Sequence, residues 1–186
     1  MGDMAPSIVK GKYEDIPEHY KRSNWVNKKV WKKKTKPRVF ARSWKDNKIT
    51  DPYTGKEITV QKHLDHTVSN KEAHESTAER PGGMLSDAEK LRFGHYLRNL
   101  KVVSKKTNIA KSSSDIVDWL PKLNRSNFAK HTETVKNKWN LAMDPKEASK
   151  FKEITGRDTT TRVAPKLKNT FFCMRCHVKH SIGNHN

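Results

Sequence analysis

Cysteine is almost absent from this 186-residue chain: Cys173 and Cys176 are the only two, three positions apart near its end. A pair so close cannot staple a fold, which excludes a disulfide framework and leaves a reducing, cytoplasmic setting as the expectation. Long apolar runs are missing as well, and no stretch combines a broad apolar face with a basic one. A membrane surface therefore fits less well than nucleic acid, and no membrane partner is expected. The opening MGDMAPSIVKGKYED has no apolar core of the kind a secretory signal needs, and Pro6 stands where a myristoylation motif requires Ser or Thr. Acid is scarce: 20 Asp and Glu face 39 Lys and Arg, a formal net charge of +19. An imbalance this large points to a polyanion, and DNA is the expected partner. With 33% of residues hydrophobic and 32% charged, the core is lean, and extensions around one modest domain are expected.

What is present is first a basic arm. Residues 21–48 carry twelve Lys or Arg against one Asp, with Trp25, Trp31, Phe40 and Trp44 interleaved. Lysines release counterions from a phosphate backbone and rings can stack on bases, so Lys28, Lys29, Lys32, Lys33, Lys34, Lys36, Arg38 and Arg42 are candidate nucleic-acid contacts, with Lys111 added from further along the chain. The plainer alternative is a solvated arm whose aromatics pack on the core.

Downstream, Asp51-Pro52 starts a turn that Thr54-Gly55-Lys56 completes, and Ile58 and Val60 alternate with polar residues as in a short strand. The segment HLDHTV, residues 63–68, reads as the next strand, which puts Asp65-His66 at the end of a β-hairpin. A short helix or loop spans 70–83, stopped by Pro81-Gly82-Gly83. Ser86 and Glu89 form a capping box opening a helix whose Leu91, Tyr96 and Leu97 share a face up to about Arg98. LKVVS, residues 100–104, is a strand candidate followed by a helical turn near Asn108. Ser114 is expected to cap a helix running from about Asp115 to Pro121. The last third reads as helical: one helix from a Ser126 cap, and another with Asp144 as cap, Pro145 first, Glu147 third and Gly156 as its stop. Trp119, Trp139 and Phe151 are expected in the core.

Chemistry concentrates in two stretches. Asp65-His66 comes first, and RNLKVVSKKTNIAKS, residues 98–112, follows. A strand at 100–104 and a helical turn after it bring Asn108 back toward Asp65, and both offer hard oxygens suited to Mg²⁺ or Mn²⁺. His66, on the opposite strand face from Asp65, is placed to act on a water, and a neutral imidazole near pH 7 is a suitable general base. Asn99, heading the apolar strand, is a candidate for orienting that ring.

The ordered set LDHTV, NLKVVSKKTN and IAKS resembles the HNH nucleases of the ββα-metal fold, and most of all the HNH domain of RNA-guided CRISPR effector nucleases. That domain has an Asp-His pair, an Asn opening an apolar strand, a second Asn nine positions on and a Lys three beyond, a spacing reproduced by Asn99, Asn108 and Lys111. YTGKEI, residues 53–58, resembles the hairpin preceding the pair. The resemblance covers about residues 49–120. It implies that Asp65 and Asn108 ligate one metal, that His66 activates water and that Asn99 supports His66. No guide-binding architecture fits in 186 residues. About twenty extra residues lie between His66 and Asn99 compared with compact members. Asp51 stands where a structural Cys often lies, which removes a zinc beside the hairpin.

Other patterns are weaker. His74-Glu75 begins like a zinc-protease motif, but Ala78 stands where the second His belongs. CMRCH, residues 173–177, matches haem attachment by letters alone. Cys173, Cys176, His180 and His185 at short gaps form a candidate zinc site, with His177 or His131 as alternative ligands, that would fold a tail with little apolar mass. His63 and His74 either line the cleft or lie on the surface.

The expected fold class is α+β. An N-terminal basic arm occupies 1–48, an HNH ββα-metal module 49–120, and a helical extension with a Cys/His-rich tail 121–186. The expected function is a metal-dependent endonuclease on DNA, cutting one strand per active site. A second copy of the chain or a larger nucleoprotein complex are candidate partners. The alternative is a non-catalytic nucleic-acid-binding protein on the same scaffold.

Overall fold

In the computed structural model, residues 21–76, 84–120, 122–164, 170–172 and 179–181 are described. The N-terminal 1–20, the Pro81-Gly82-Gly83 stop, Ala78 and the tail residues Cys173, Cys176, His177 and His185 lie outside them, as does the side chain of His180. The described chain mixes helices with small antiparallel sheets and is α+β. No described helix is long and apolar enough to cross a membrane.

The centre is a strand pair running into a helix. β3 (Lys62–His66) pairs antiparallel with β4 (Leu100–Ser104) in the register His63 to Val103 and His66 to Leu100, and α6 (Lys105–Lys111) starts at the next residue. No loop intervenes because Ser104 is both the last strand residue and the helix cap: its Oγ accepts from Thr107 N at 3.1 Å. Asp51 pins that junction, its Oδ2 accepting from Ser104 N and its Oδ1 from Tyr53 N. The hairpin expected at 58–66 is thus replaced. Ile58 is buried but lies outside any named strand, and the partner of 62–66 is the later LKVVS segment. The long insertion between the strands closes on itself: Thr67 N donates to Asn99 O at 2.8 Å.

Strand alternation divides the apolar residues. Leu64, Leu100 and Val102 pack on one face against Val39 and Ile49, while Val103 joins Tyr53, Ile116, Leu120, Phe128 and Phe151 on the other. A third cluster, around Trp25, Val68, Phe93 and Leu141, ties the insertion to the N-terminal segment.

That segment is no loose arm. α1 (Arg22–Trp25) buries Trp25 completely. Next, α2 (Lys28–Val30), a π-helical turn (Trp31–Thr35) and α3 (Lys36–Ser43) run on as one rod against β4. β1 (Trp44–Lys45) and β2 (Lys48–Ile49) form a hairpin whose Asp46 and Asn47 both have positive φ, as a two-residue hairpin turn requires.

In the insertion, α4 (Asn70–Glu75) is capped by Ser69, and α5 (Asp87–Gly94) opens on the expected Ser86–Glu89 capping box but stops at Gly94, before Tyr96 and Leu97. α7 (Ile116–Trp119) is capped by Asp115, not Ser114, because the Asp115 carboxylate accepts from Val117 N. α8 (Lys122–Lys138) has already begun before Ser126, which therefore sits inside it. α9 (Pro145–Thr155) has the expected Asp144 cap and a left-handed Gly156 stop at φ 76°. β5 (Thr170–Phe172) and β6 (Lys179–Ser181) pair antiparallel near the end of the chain.

Candidate active site at the end of strand β3

Register decides where each group points. His63 and Asp65 face α6, and Leu64 and His66 face the α2–α3 rod. Asp65 is buried. Its Oδ2 accepts a hydrogen bond from the Tyr53 hydroxyl at 2.7 Å and lies 3.1 Å from Lys111 Nζ. Its Oδ1 carries no hydrogen bond among the described residues. Burial pushes the Asp65 carboxyl up, against the opposing pull of the Lys111 ammonium. The same environment pushes the Tyr53 hydroxyl well up, burial first and the Asp65 charge second, so it stays a proton donor to the carboxylate.

His66 is held from the other side. Its Nε2 lies 2.8 Å from Gly94 O, so Nε2 bears the proton and Nδ1 keeps the lone pair. The Trp31 ring stacks on the imidazole, with centroids 5.8 Å apart and planes 29° apart. Burial brings its pKa down to about 4, so the ring is neutral at physiological pH. Gly94 is the residue this arrangement needs. A Cβ there would sit 1.7 Å from the Trp25 carbonyl oxygen, so any larger residue forces α1 away from the chain that orients His66.

Asn99 is fully buried. Its amide clamps Val68, with Oδ1 accepting from Val68 N at 2.8 Å and Nδ2 donating to Val68 O at 2.9 Å. It fixes the chain leaving His66 rather than touching the ring, the orienting bond coming from Gly94. Asn108 lies against His63, Nδ2 to Nδ1 at 3.2 Å, and it is Lys111, one turn on, that meets Asp65. The helix spacing of three matches the strand spacing of two, so each of the two helix residues takes its own strand partner.

Two of the expected DNA contacts have other work. Lys111 is wholly buried, donating to His66 O at 3.0 Å as well as facing Asp65. Arg42 is exposed along the rod, and its Nη2 also donates to Leu97 O and, at 2.8 Å, to Leu100 O. Lys28, Lys29, Lys32, Lys33, Lys34, Lys36 and Arg38 are exposed along the rod. Tyr53, Gly94 and Trp31 were not foreseen in these roles. Tyr53 opens the YTGKEI stretch, but its reach to a residue twelve positions on has no local signal.

A second polar cluster was also unforeseen. Ligand oxygens of Glu72, Asp115 and Glu147 lie within 4.8 Å of one another, with Lys136 Nζ at 2.7 Å from Glu72 and 2.6 Å from Glu147. An ammonium already sits among these carboxylates, so they are accounted for as a hub joining α4, α7, α8 and α9.

No family model matches the chain, and neither does any curated protein or solved structure.

Proposed function

We propose that the protein is a metal-dependent endonuclease of the HNH type, with a ββα-metal module at 62–111, that hydrolyses DNA phosphodiesters one strand at a time. The observation that carries this reading is the end of β3. A buried carboxylate with one open oxygen and an imidazole with one open nitrogen follow one another, on an antiparallel pair that runs without a loop into a helix.

The donor set suits a hard divalent cation. Asp65 Oδ1 and Asn108 Oδ1 are oxygens without hydrogen bonds among the described residues, since Asn108 uses its Nδ2 on His63. These two residues would hold Mg²⁺ or Mn²⁺, with Lys111 and Asn108 giving up part of their present pairing. Such an ion stabilises charge developing on the phosphate and on the leaving oxygen.

The chain's own groups do the rest. His66 Nδ1 takes the proton of the attacking water while Gly94 O keeps the opposite edge of the ring fixed. A pKa of about 4 makes it a weak base; its causes, after burial, include the charges of Arg22 and Lys111. An incoming phosphate is of opposite sign and offsets those charges. Asn99 holds the backbone at Val68, and the exposed lysines of the rod grip flanking phosphates.

The second reading, a nucleic-acid-binding protein that does not cut, is favoured by the Lys111 ammonium on Asp65 and the Trp31 ring over His66. Supercoiled plasmid separates the two. With Mg²⁺ or Mn²⁺ the wild-type chain is expected to nick, EDTA to abolish nicking, and His66→Ala to slow it at least ~10²-fold. Plasmid left intact by a chain that still retards it in a gel sinks the nuclease reading.

A further inference from the structure

We propose that Trp31 is a positioning residue for the His66 imidazole, and that through it the basic rod registers a bound DNA backbone against that ring. The inference rests on the nuclease reading for its kinetic consequence, but the geometry stands apart from it.

The His66 ring is fixed on two sides by different parts of the chain: one edge by Gly94 O and one face by Trp31. Trp31 is itself held. The Arg22 guanidinium carbon lies 4.9 Å from the centre of its ring, and His95 meets it edge-on at 5.8 Å. The rod bearing Trp31 is tied at two points to the residue next to Gly94. Asn27 N donates to His95 Nε2 at 3.0 Å, so His95 carries its proton on Nδ1 and donates it to Thr35 Oγ1 at 2.7 Å. These two anchors bracket the turn from Trp31 to Thr35, which is wound as a π-helix. Such a turn inserts residues into an α-helix and changes which side chains look inward, and it recurs at functional sites. Here Trp31 is turned to His66 and Thr35 to His95, while Lys32, Lys33 and Lys34 between them are exposed. Grip on phosphates and support of the imidazole thus come from consecutive residues of one rigid element. A shift of the rod by an ångström moves both, and displacements of that size at a reacting group cost up to ~10²-fold in rate.

A purely space-filling Trp31 is the competing explanation, because the ring also packs beside the Trp25 and Val39 clusters. Trp31→Leu, Trp31→Phe and the double variant Lys32→Ala/Lys33→Ala, each in the full chain, distinguish the two. Leu keeps apolar bulk without a ring, so packing is largely retained. The expected result is a fall in kcat of ~10-fold for Trp31→Leu with KM within about twofold, recovery by Trp31→Phe, and for the lysine pair a raised KM together with a lower kcat, an unchanged kcat there overturning the registration of DNA through the rod. In parallel, the ring-nitrogen NMR shifts of His66, which report its tautomer and its Nε2–H bond to Gly94 O, are read without DNA. They should move toward a tautomer average in Trp31→Leu and return in Trp31→Phe. A wild-type kcat for Trp31→Leu, or His66 ring shifts that do not change in it, overturns the proposal. A wild-type chain that fails to nick in any metal overturns the nuclease reading instead, and the ring shifts alone then decide whether Trp31 holds His66.

Discussion

Among the described residues two lysines, Lys111 and Lys136, are almost wholly shut off from solvent, at 0% and 1% exposure, and they are matched very differently. Lys111 faces one carboxylate, Asp65, with a tyrosine hydroxyl and a backbone carbonyl completing the set. Lys136 faces Glu72 and Glu147, with Asp115 alongside, and Glu147 Oε1 has no hydrogen-bond partner among the described residues. The first centre is charge-balanced and leaves Asp65 Oδ1 without a hydrogen bond among the described residues. The second sets three acids against one base, with Glu147 buried and Glu72 and Asp115 half-buried. That arrangement is tolerable only if protons stay on some of the acids, as the upward shifts of Asp115, to about 7, and of Glu147 indicate. Burial is the leading cause in both, with the Glu72 charge second. One centre ties the end of β3 to α6; the other joins four helices.

The harshest way to break the comparison is to remove the lysine of the hub. Lys136→Met leaves Glu72 and Glu147 without their cation, and stranding a buried partner costs ~3–5 kcal/mol. The upper end is expected here because two acids lose their partner, a large part of a domain's total stability. Urea unfolding at pH 7 measures it. A variant as stable as the wild type would mean that the hub is held by its protons alone.

Lys111→Met should cost less, ~3 kcal/mol, since one carboxylate is stranded and Tyr53 still donates to it. The double variant Lys111→Met/Asp65→Asn should recover part of that loss, because no charge then remains buried. A double variant that is simply the sum of two singles would show that the two groups do not act on each other.

Asp115→Asn sharpens the contrast in the opposite direction. Asn is as good a helix cap as Asp, so the bond to Val117 N survives while the charge goes. The folded pKa of Asp115 is raised from 3.8 to about 7, so the folded state holds the proton more tightly than the unfolded chain. Its stabilising effect is complete below about pH 4 and is lost as pH rises through about 7. The Asn variant should match the wild type near pH 4 and be more stable by ~1–3 kcal/mol at pH 8. Equal stability at both pH values would remove Asp115 from the hub's electrostatics.

These differences explain what could be read without coordinates. The LKVVS strand, the Ser86–Glu89 box and the Asp144–Gly156 helix were legible because alternation and capping are local signals, carried by residues within a few positions of each other. The Asp-His pair was legible as a pair, but its neighbours were not. Gly94 contributes through a backbone carbonyl, which no side-chain pattern marks, and Trp31 reaches His66 across 35 positions. The rod was hidden by its own charge: lysines on the solvent side outnumber Trp31, Thr35 and Val39 on the buried side, so a packed helix looked like a loose arm. Lys111 misled in the same way, because a lysine in a chain of +19 reads as a surface cation.

The smallest expected effect comes from a further acid, Glu133, which sharpens the comparison because it is matched in excess. Both Arg157 Nη atoms, the Thr159 hydroxyl and Thr160 N donate to it, pinning 157–161 onto α8. Its carboxyl is pulled down to about 2, chiefly by the Arg157 hydrogen bonds. A depressed acid stabilises the fold above its unfolded pKa near 4.5, and that help disappears as pH falls through about 2. Arg157 is exposed, so water screens the pair and Glu133→Gln should cost under ~1 kcal/mol at pH 7. The cost should shrink to nothing as the wild-type carboxyl protonates. The pH dependence is therefore opposite in sign to that of Asp115, and the stabilities of the two variants, taken relative to the wild type, should converge at low pH and diverge toward pH 8. Parallel curves would mean that hydrogen-bond count and burial do not set which acids hold their protons in this fold.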